Sequence, residues 1–288
     1  MKDYILYQQH IMWYESKMLT ETLNSIQNAL HQSILPVKFK FCLNSQTYIE
    51  NPINGSSSDM FNDFINHEIM QYNTTEIIYK NQSDEFYNIA DFRRDVYDKN
   101  AKYTVWGESD CLLPYDFFYI LSNIHISSPH ILSLASRKMW DDTWNEVEHV
   151  YVREYPRYKN SLFNAPKPYN SSDVITQKDL DELNNKYDYT EIVKLKNHKI
   201  DGSLLCISGG ITEKFIPEKM HFVREDTCAE KFFEKKNIAQ YHMTNVMKGH
   251  NYTHPLKRTN TNNTRNDDLF IKYKNESETA MFEFLNML

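Results

Sequence analysis

Glu108 and Asp110 stand two positions apart in the run Trp106-Gly-Glu-Ser-Asp-Cys-Leu-Leu-Pro-Tyr-Asp116. On a strand end or tight turn, carboxylates at that spacing can both bend toward one hard cation, which is how a divalent metal is presented to a diphosphate. An acid-x-acid triplet alone is common on solvated loops. This one is bracketed by a strand-like stretch over 102–106 and a Pro-Tyr-Asp helix start, and the bracketing gives it weight. Further chemistry-bearing residues lie on both sides of it. Arg93 and Arg94 sit in a helical stretch with Asp91 and Asp95, where salt bridging competes with ligand binding. Glu225 and Asp226 open a helix, a place that also suits acids simply through the helix dipole. His242, His250 and His254 lie close together in the sequence. Trp140 and Trp144 offer flat faces for stacking or for core packing.

Those residues need a scaffold, and the hydrophobic pattern supplies one. Residues 4–7 form a short apolar run that reads as a first strand. Residues 15–30 carry Met18, Leu19, Leu23, Ile26, Ala29 and Leu30 at helical spacing. Residues 37–43 alternate like a strand. Strand, helix and strand of this size predict a βαβ crossover and a parallel sheet. Helices are expected over 60–72, 85–100 and 115–124, and strands over 76–79, 102–106 and 130–139. Residues 154–189 are polar and rich in Tyr, Asn and Pro, and read as an insertion with a short helix starting near Thr176. Strands over 190–196 and 203–208 flank Asp201-Gly202, a hairpin signal. A helix over 224–236 and a last one over 273–288 complete the pattern. No internal repeat is present.

The bulk numbers set limits. The chain has 288 residues, 41% hydrophobic and 25% charged, which supports a sizeable core and excludes global disorder. The net charge of -7 excludes an overall basic nucleic-acid footprint. Twenty tyrosines and sixteen phenylalanines can line a concave surface as well as fill a core. The four cysteines are widely separated, form no CxxC pair, and read as reduced buried thiols. The N-terminal residues lack a long apolar core, and no apolar run approaches a membrane span, so a cytoplasmic protein is expected.

Four segments, falling in order, resemble nucleotide-sugar glycosyltransferases of the GT-A fold, in particular the family two-like group. Residues 13–26, Trp-Tyr-Glu-Ser-Lys-Met-Leu-Thr-Glu-Thr-Leu-Asn-Ser-Ile, are similar to the family's opening helix. Asp91-Phe-Arg-Arg94, a strand, Glu108-Ser-Asp110 and Leu113-Pro114 look like its Ala-Arg-Asn helix, Asp-x-Asp triplet and downstream Pro-Asp. Ile207-Ser-Gly-Gly210 and Arg224-Glu-Asp-Thr227 resemble its Gly-Gly and Glu-Asp-Thr elements. Lys248-Gly-His250 is similar to the Gly-His of its metal-dependent members. The chain departs from the pattern in having Glu at the first triplet position. It also has Leu43-Asn-Ser-Gln-Thr47 where acidic residues usually meet the nucleoside, and Gln8-Gln9-His10 where the first strand usually meets a Pro-containing turn.

The resemblance implies an α/β fold, a Rossmann-like and mostly parallel central sheet flanked by helices, over residues 1–250, with 251–288 as a C-terminal extension packing on it. It implies a divalent ion, Mn²⁺ or Mg²⁺, held by Asp110, Glu108 and His250. Arg93, Arg94, Gln9 and Asn44 would face the nucleotide-sugar donor, a UDP-sugar. Gly209 and Gly210 would let the backbone approach the donor sugar. Asp226 would take the acceptor proton, with Glu225 orienting it or binding the acceptor; Trp140 and Trp144, by their flat faces rather than by the resemblance, are the candidates to stack on the acceptor. An inverting displacement is implied by the inverting members; retaining members carry a similar late Gly-His, so both outcomes stay open. The acceptor is a hydroxyl of a glycan, lipid or protein. Two other functions fit the same residues. One is a phage-type enzyme glycosylating hydroxymethylated bases in DNA, with the basic tract 257–265 following the phosphates. The other is a non-catalytic nucleotide- or carbohydrate-binding module.

Overall fold

A computed structural model describes residues 3–11, 16–43, 57–79, 89–109, 111–140, 146–153, 176–185, 190–200, 202–221, 224–250 and 268–288. Its strands are β1 (Ile5–His10), β2 (Val37–Leu43), β3 (Thr75–Tyr79), β4 (Tyr103–Glu108), β5 (Cys111–Leu112), β6 (His130–Trp140), β7 (Glu146–Arg153), β8 (Ile192–Lys194), β9 (Leu204–Ser208) and β10 (Ala239–His250). Its α-helices are α1 (Ser16–Leu30), α2 (Ser57–Asn66), α3 (Ile89–Val96), α4 (Phe117–Asn123), α5 (Gln177–Asn184), α6 (Glu225–Lys235) and α7 (Asp268–Asn286).

One sheet runs in the order β3-β2-β1-β4-β9-β6-β10-β5, with β7 paired to β6 and β8 to β10. Along this path β1, β2, β3, β4, β6 and β10 share one direction, and β9 and β5 oppose it. This is the mostly parallel, Rossmann-like sheet expected. The chain leaves β1 toward β2 and β3 on one side and later returns to β4 on the other. The carboxyl ends of β1 and β4 therefore flank the point where strand order reverses, the place where open α/β sheets bind ligands.

Helices cover both faces. On one, Leu19, Leu23, Ile26 and Ala29 of α1 pack with Phe117, Phe118 and Leu121 of α4 against Tyr7, Phe39, Phe41 and Val105. On the other, α6 brings Cys228, Ala229, Phe232 and Phe233, and α7 brings Ala280, Met281 and Leu285, against Trp106, Leu205 and Ile207. Phe92 and Val96 of α3 close over Leu6 and Cys42. Burial on both faces explains why all of β1 is buried, polar carboxyl end included.

Two expectations change. The Asp201-Gly202 hairpin does not form: β8 pairs with β10, and β9 inserts between β4 and β6. All of β9 is buried, so it gains more from two long-range partners than from one local one. The longest strand, β10, escapes sequence reading because its interior is polar. Gln240 bonds Ser133 and Lys199, Asn245 accepts from the Glu191 amide, and Lys248 donates to Ser203. A register shift between Met243 and Met247 breaks its alternation as well. The stretch 154–175, most of the expected insertion, lies outside the described residues.

Candidate functional site

Parallel pairing of β1 with β4 sets His10 beside Glu108 at the strands' carboxyl ends. Arg93 reaches this edge from α3. It is 1% exposed, and its guanidinium lies over the Trp106 ring, 4.7 Å from the centroid. Nη2 donates to Glu108 Oε1 at 3.1 Å and to the Gly202 carbonyl at 2.6 Å, and Nη1 donates to Glu225 Oε1. One buried cation thus gathers a carboxylate from the end of β4 and another from the start of α6. Burying a guanidinium is tolerable only with such partners.

Asp226 completes the group. Its Oδ1 accepts from the Thr227 amide at 2.6 Å. Its Oδ2 faces Gly202, where a Cβ would lie 3.1 Å from that oxygen and 3.2 Å from Arg93 Nη1. A side chain at 202 would press on both groups, which would have to give by a few tenths of an ångström. Arg224, just before the helix, holds a left-handed conformation with φ of 69° and bonds Glu278 of α7 at 3.2 Å. A non-glycine residue in that region is uncommon, and surrounding structure has to hold it.

Charge at this edge is arranged to shift titration. Burial pushes Glu225 up to about 7; the Arg93 guanidinium opposes that, and Asp226 and Glu108 add to it. His10 is driven the other way, to about 3, by burial and then by Arg93, so its imidazole is neutral. It packs edge-on against Phe92 with centroids 5.4 Å apart. Among the described residues neither of its ring nitrogens has a hydrogen-bond partner, nor do Gln8 Oε1, Gln9 Oε1 and Trp106 Nε1. Buried unpaired polar atoms are costly, and a concentration of them along β1 and its neighbour β4 marks an edge that the fold alone does not satisfy.

The residues expected from sequence fare differently. Glu108, Arg93, Glu225 and Asp226 come together. The backbone of His250 pairs antiparallel with Cys111, the residue after Asp110; its side chain, like that of Trp140, lies outside the description. Asp110, Asn44 and Trp144 lie outside the described residues. Arg94 turns away from the cluster, to Asp91 at 2.5 Å and to the carbonyls of Pro217, Glu218 and Met220 at 3.0 to 3.2 Å, which explains its position without a ligand. Gly209 and Gly210 lie at the opposite end of β4 from Glu108: β9 runs antiparallel to β4, so Ser208 pairs with Tyr103 while Leu204 pairs with Gly107. Gly210, with φ of 93°, makes the turn there. Gln9 is fully buried beside Gly107, and its amide donates to the His10 carbonyl. Sequence reasoning missed His10 and Gly202. Reading β1 through to residue 10 would have set His10 across from Glu108; nothing local distinguished Gly202 from a turn glycine.

Among the described residues no group of three His, Cys, Asp or Glu side chains stands ready for a metal, and no helix is long and apolar enough to cross a membrane. No protein-family model matches the chain, and no curated protein does. Among solved structures it is similar to GalNAc-T7 crystallised with UDP, GalNAc and Mn²⁺, at 8% identity and a TM-score of 0.45. That match covers 87% of this chain and 44% of the other, so the chain spans under half of that structure. It is similar also to S. aureus TarS 1-349, at 10% identity and a TM-score of 0.44 over 97% and 72% of the two chains. A third similar structure is the inositol-1-phosphate CTP transferase from T. maritima, at 7% identity and a TM-score of 0.41 over 96% of each. Likenesses of this depth say nothing of activity; the residues of the site have to.

Proposed function

We propose that this chain is a metal-dependent glycosyltransferase that moves a sugar from a UDP-sugar to an acceptor hydroxyl with inversion. One observation carries the reading: Arg93 draws the carboxylates of Glu108 and Glu225 together at the strand-order reversal, with Asp226 beside them. The donor set suits a divalent ion of the Mn²⁺ class, since Glu108 and Asp110 offer hard oxygens and the antiparallel pairing brings the His250 backbone opposite Cys111. Bound there, the ion would neutralise the charge that builds on a leaving diphosphate.

The chain's own residues divide the remaining work. Asp226 is the base, because Glu225 is tied to Arg93 and buried, whereas Asp226 is half-buried at the helix start. Asp226 would take the acceptor proton as the hydroxyl attacks from the face opposite the leaving diphosphate, the inverting course proposed. Arg93 fixes the distance between the metal-side acid and the helix that carries the base. Neutral His10 and the buried amides of Gln8 and Gln9 form a strand end without charge, suited to an uncharged nucleoside rather than to phosphate.

The acceptor is a glycan, lipid or protein hydroxyl. A DNA acceptor would call on the tract 257–265, which lies outside the described residues. The test is a thermal-shift series with UDP, Mn²⁺ and both together, followed by donor hydrolysis across a panel of nucleotide sugars. A joint shift larger than either alone, with hydrolysis of one donor that EDTA abolishes, is expected. Binding without turnover would instead indicate an idle binding module. Absence of both binding and turnover would remove the reading.

A further inference from the structure

Two hydroxyls on α1 have no business with the helix's own apolar stripe. Thr22 and Ser25 are 0% and 1% exposed, among Leu19, Leu23 and Ile26. Mid-helix hydroxyls ordinarily turn back to a carbonyl of the preceding turn. These two reach across the fold, to residues 87 and 88 positions further along the chain. Thr22 Oγ1 donates to the Ser109 carbonyl at 2.8 Å. Ser25 Oγ donates to the Leu113 carbonyl at 3.1 Å and accepts from the Leu113 amide at 2.8 Å. Gln177 of α5 adds a second donor to the Leu113 carbonyl at 3.0 Å.

Ser109 sits within the acidic turn and Leu113 lies just past it. Glu108 precedes the first, Asp110 follows it, and between them and Leu113 lies β5, whose Cys111 faces the His250 backbone. The turn is too short for a ladder of its own, since β5 has only two residues. Its backbone groups therefore need partners from elsewhere. A carboxylate on a short turn is only as well placed as the backbone that carries it, and a cation is sensitive to ligand displacements of a few tenths of an ångström.

We propose that Thr22 and Ser25 are positioning residues for the metal site: they hold the backbone at Ser109, between the two acids of the triplet, and at Leu113, just past β5. The inference rests on the metal-dependent reading above. Loss of either clamp loosens the turn, weakens the bound ion, and leaves the apolar face of α1 in place.

The test uses the full chain with UDP, and reads Mn²⁺ binding by the loss of the free-ion paramagnetic signal. Thr22→Val keeps shape and removes the hydroxyl; Ser25→Ala removes the other. Each is expected to weaken Mn²⁺ about tenfold, the scale of lost outer-shell support, and to raise the Mn²⁺ concentration needed for half-maximal turnover by a similar factor. Thr22→Ser restores the hydroxyl and is expected to bind as the parent does. Leu23→Ala, on the same helix, lowers the melting temperature without moving Mn²⁺ affinity in the folded protein. If Thr22→Val and Ser25→Ala bind Mn²⁺ as tightly as the parent, or if Leu23→Ala weakens it equally, the clamp is overturned and the functional reading stands. If the parent itself binds no Mn²⁺ with UDP, the functional reading falls and the clamp with it.

Discussion

The two ends of β4 are built to opposite rules. At its amino end every polar group named has a partner. The Gly209 and Gly210 amides donate to Lys102 and Lys99, and the Tyr97 hydroxyl donates to Ser208 and accepts from Ile211. An open cavity of about 330 Å³ lies there, lined by Tyr97, Lys99, Ile211 and Phe215 among others. At its carboxyl end Glu108, Glu225 and Asp226 crowd one guanidinium, and buried polar atoms of Gln8, Gln9, His10 and Trp106 have no partner among the described residues. The cavity lies at the first end and the cluster of charge at the second. Satisfied hydrogen bonds are the mark of a region that only has to hold. Charge and polar groups left over within a well-packed frame are the mark of one completed by a ligand.

The comparison can be broken most decisively at Asp226. Asp226→Asn is expected to lower transfer by roughly 10²- to 10⁴-fold, the range for loss of a general base, with UDP binding unchanged in a thermal-shift assay. Undiminished transfer would move the base elsewhere. Next in size is Arg93→Met. It leaves Glu108 and Glu225 without their shared cation, and removing one partner from a buried ion pair costs about 3–5 kcal/mol. Urea unfolding reads that directly, and a loss under 1 kcal/mol would mean the carboxylates find other partners.

The two glycines sharpen the contrast. Gly202→Ala forces a Cβ against Asp226 and Arg93, which costs roughly 1–3 kcal/mol as overpacking and also lowers kcat. Gly210→Ala costs about 1–2 kcal/mol through its left-handed backbone alone, with kcat per folded molecule unchanged. Equal effects on kcat would erase the difference between the two ends. The smallest effect is a pH dependence. Glu225 titrates near 7 in the folded chain against 4.5 ordinarily, so the folded state holds the extra proton between those values. Its contribution is fully present below about pH 4.5 and is lost as pH rises through 7. Stability measured at pH 5 and pH 8 should therefore differ less in Glu225→Gln than in the parent.

What local pattern specifies was legible in the residues. The apolar spacing of α1, the alternation of β2 and the Pro-bounded start of α4 are short-range signals, and the elements form where they lie. Glu108 and the Glu225-Asp226 pair were legible too, as acids at a strand end and at a helix start. Long-range pairing was not. Nothing in Asp201-Gly202-Ser203 says that β9 will run antiparallel between β4 and β6, yet that one choice brings Gly202 to the cluster and sends Gly209-Gly210 to the far end. Arg93 and Arg94 are adjacent and chemically identical; which one meets the carboxylates depends on which side of α3 faces Trp106. A sequence sets which side chains a segment can offer, because propensity and periodicity act over a few residues. Only the packed sheet decides which of them meet, because burial rewards contacts between residues more than a hundred positions apart, and Arg93 with Glu225 is such a pair.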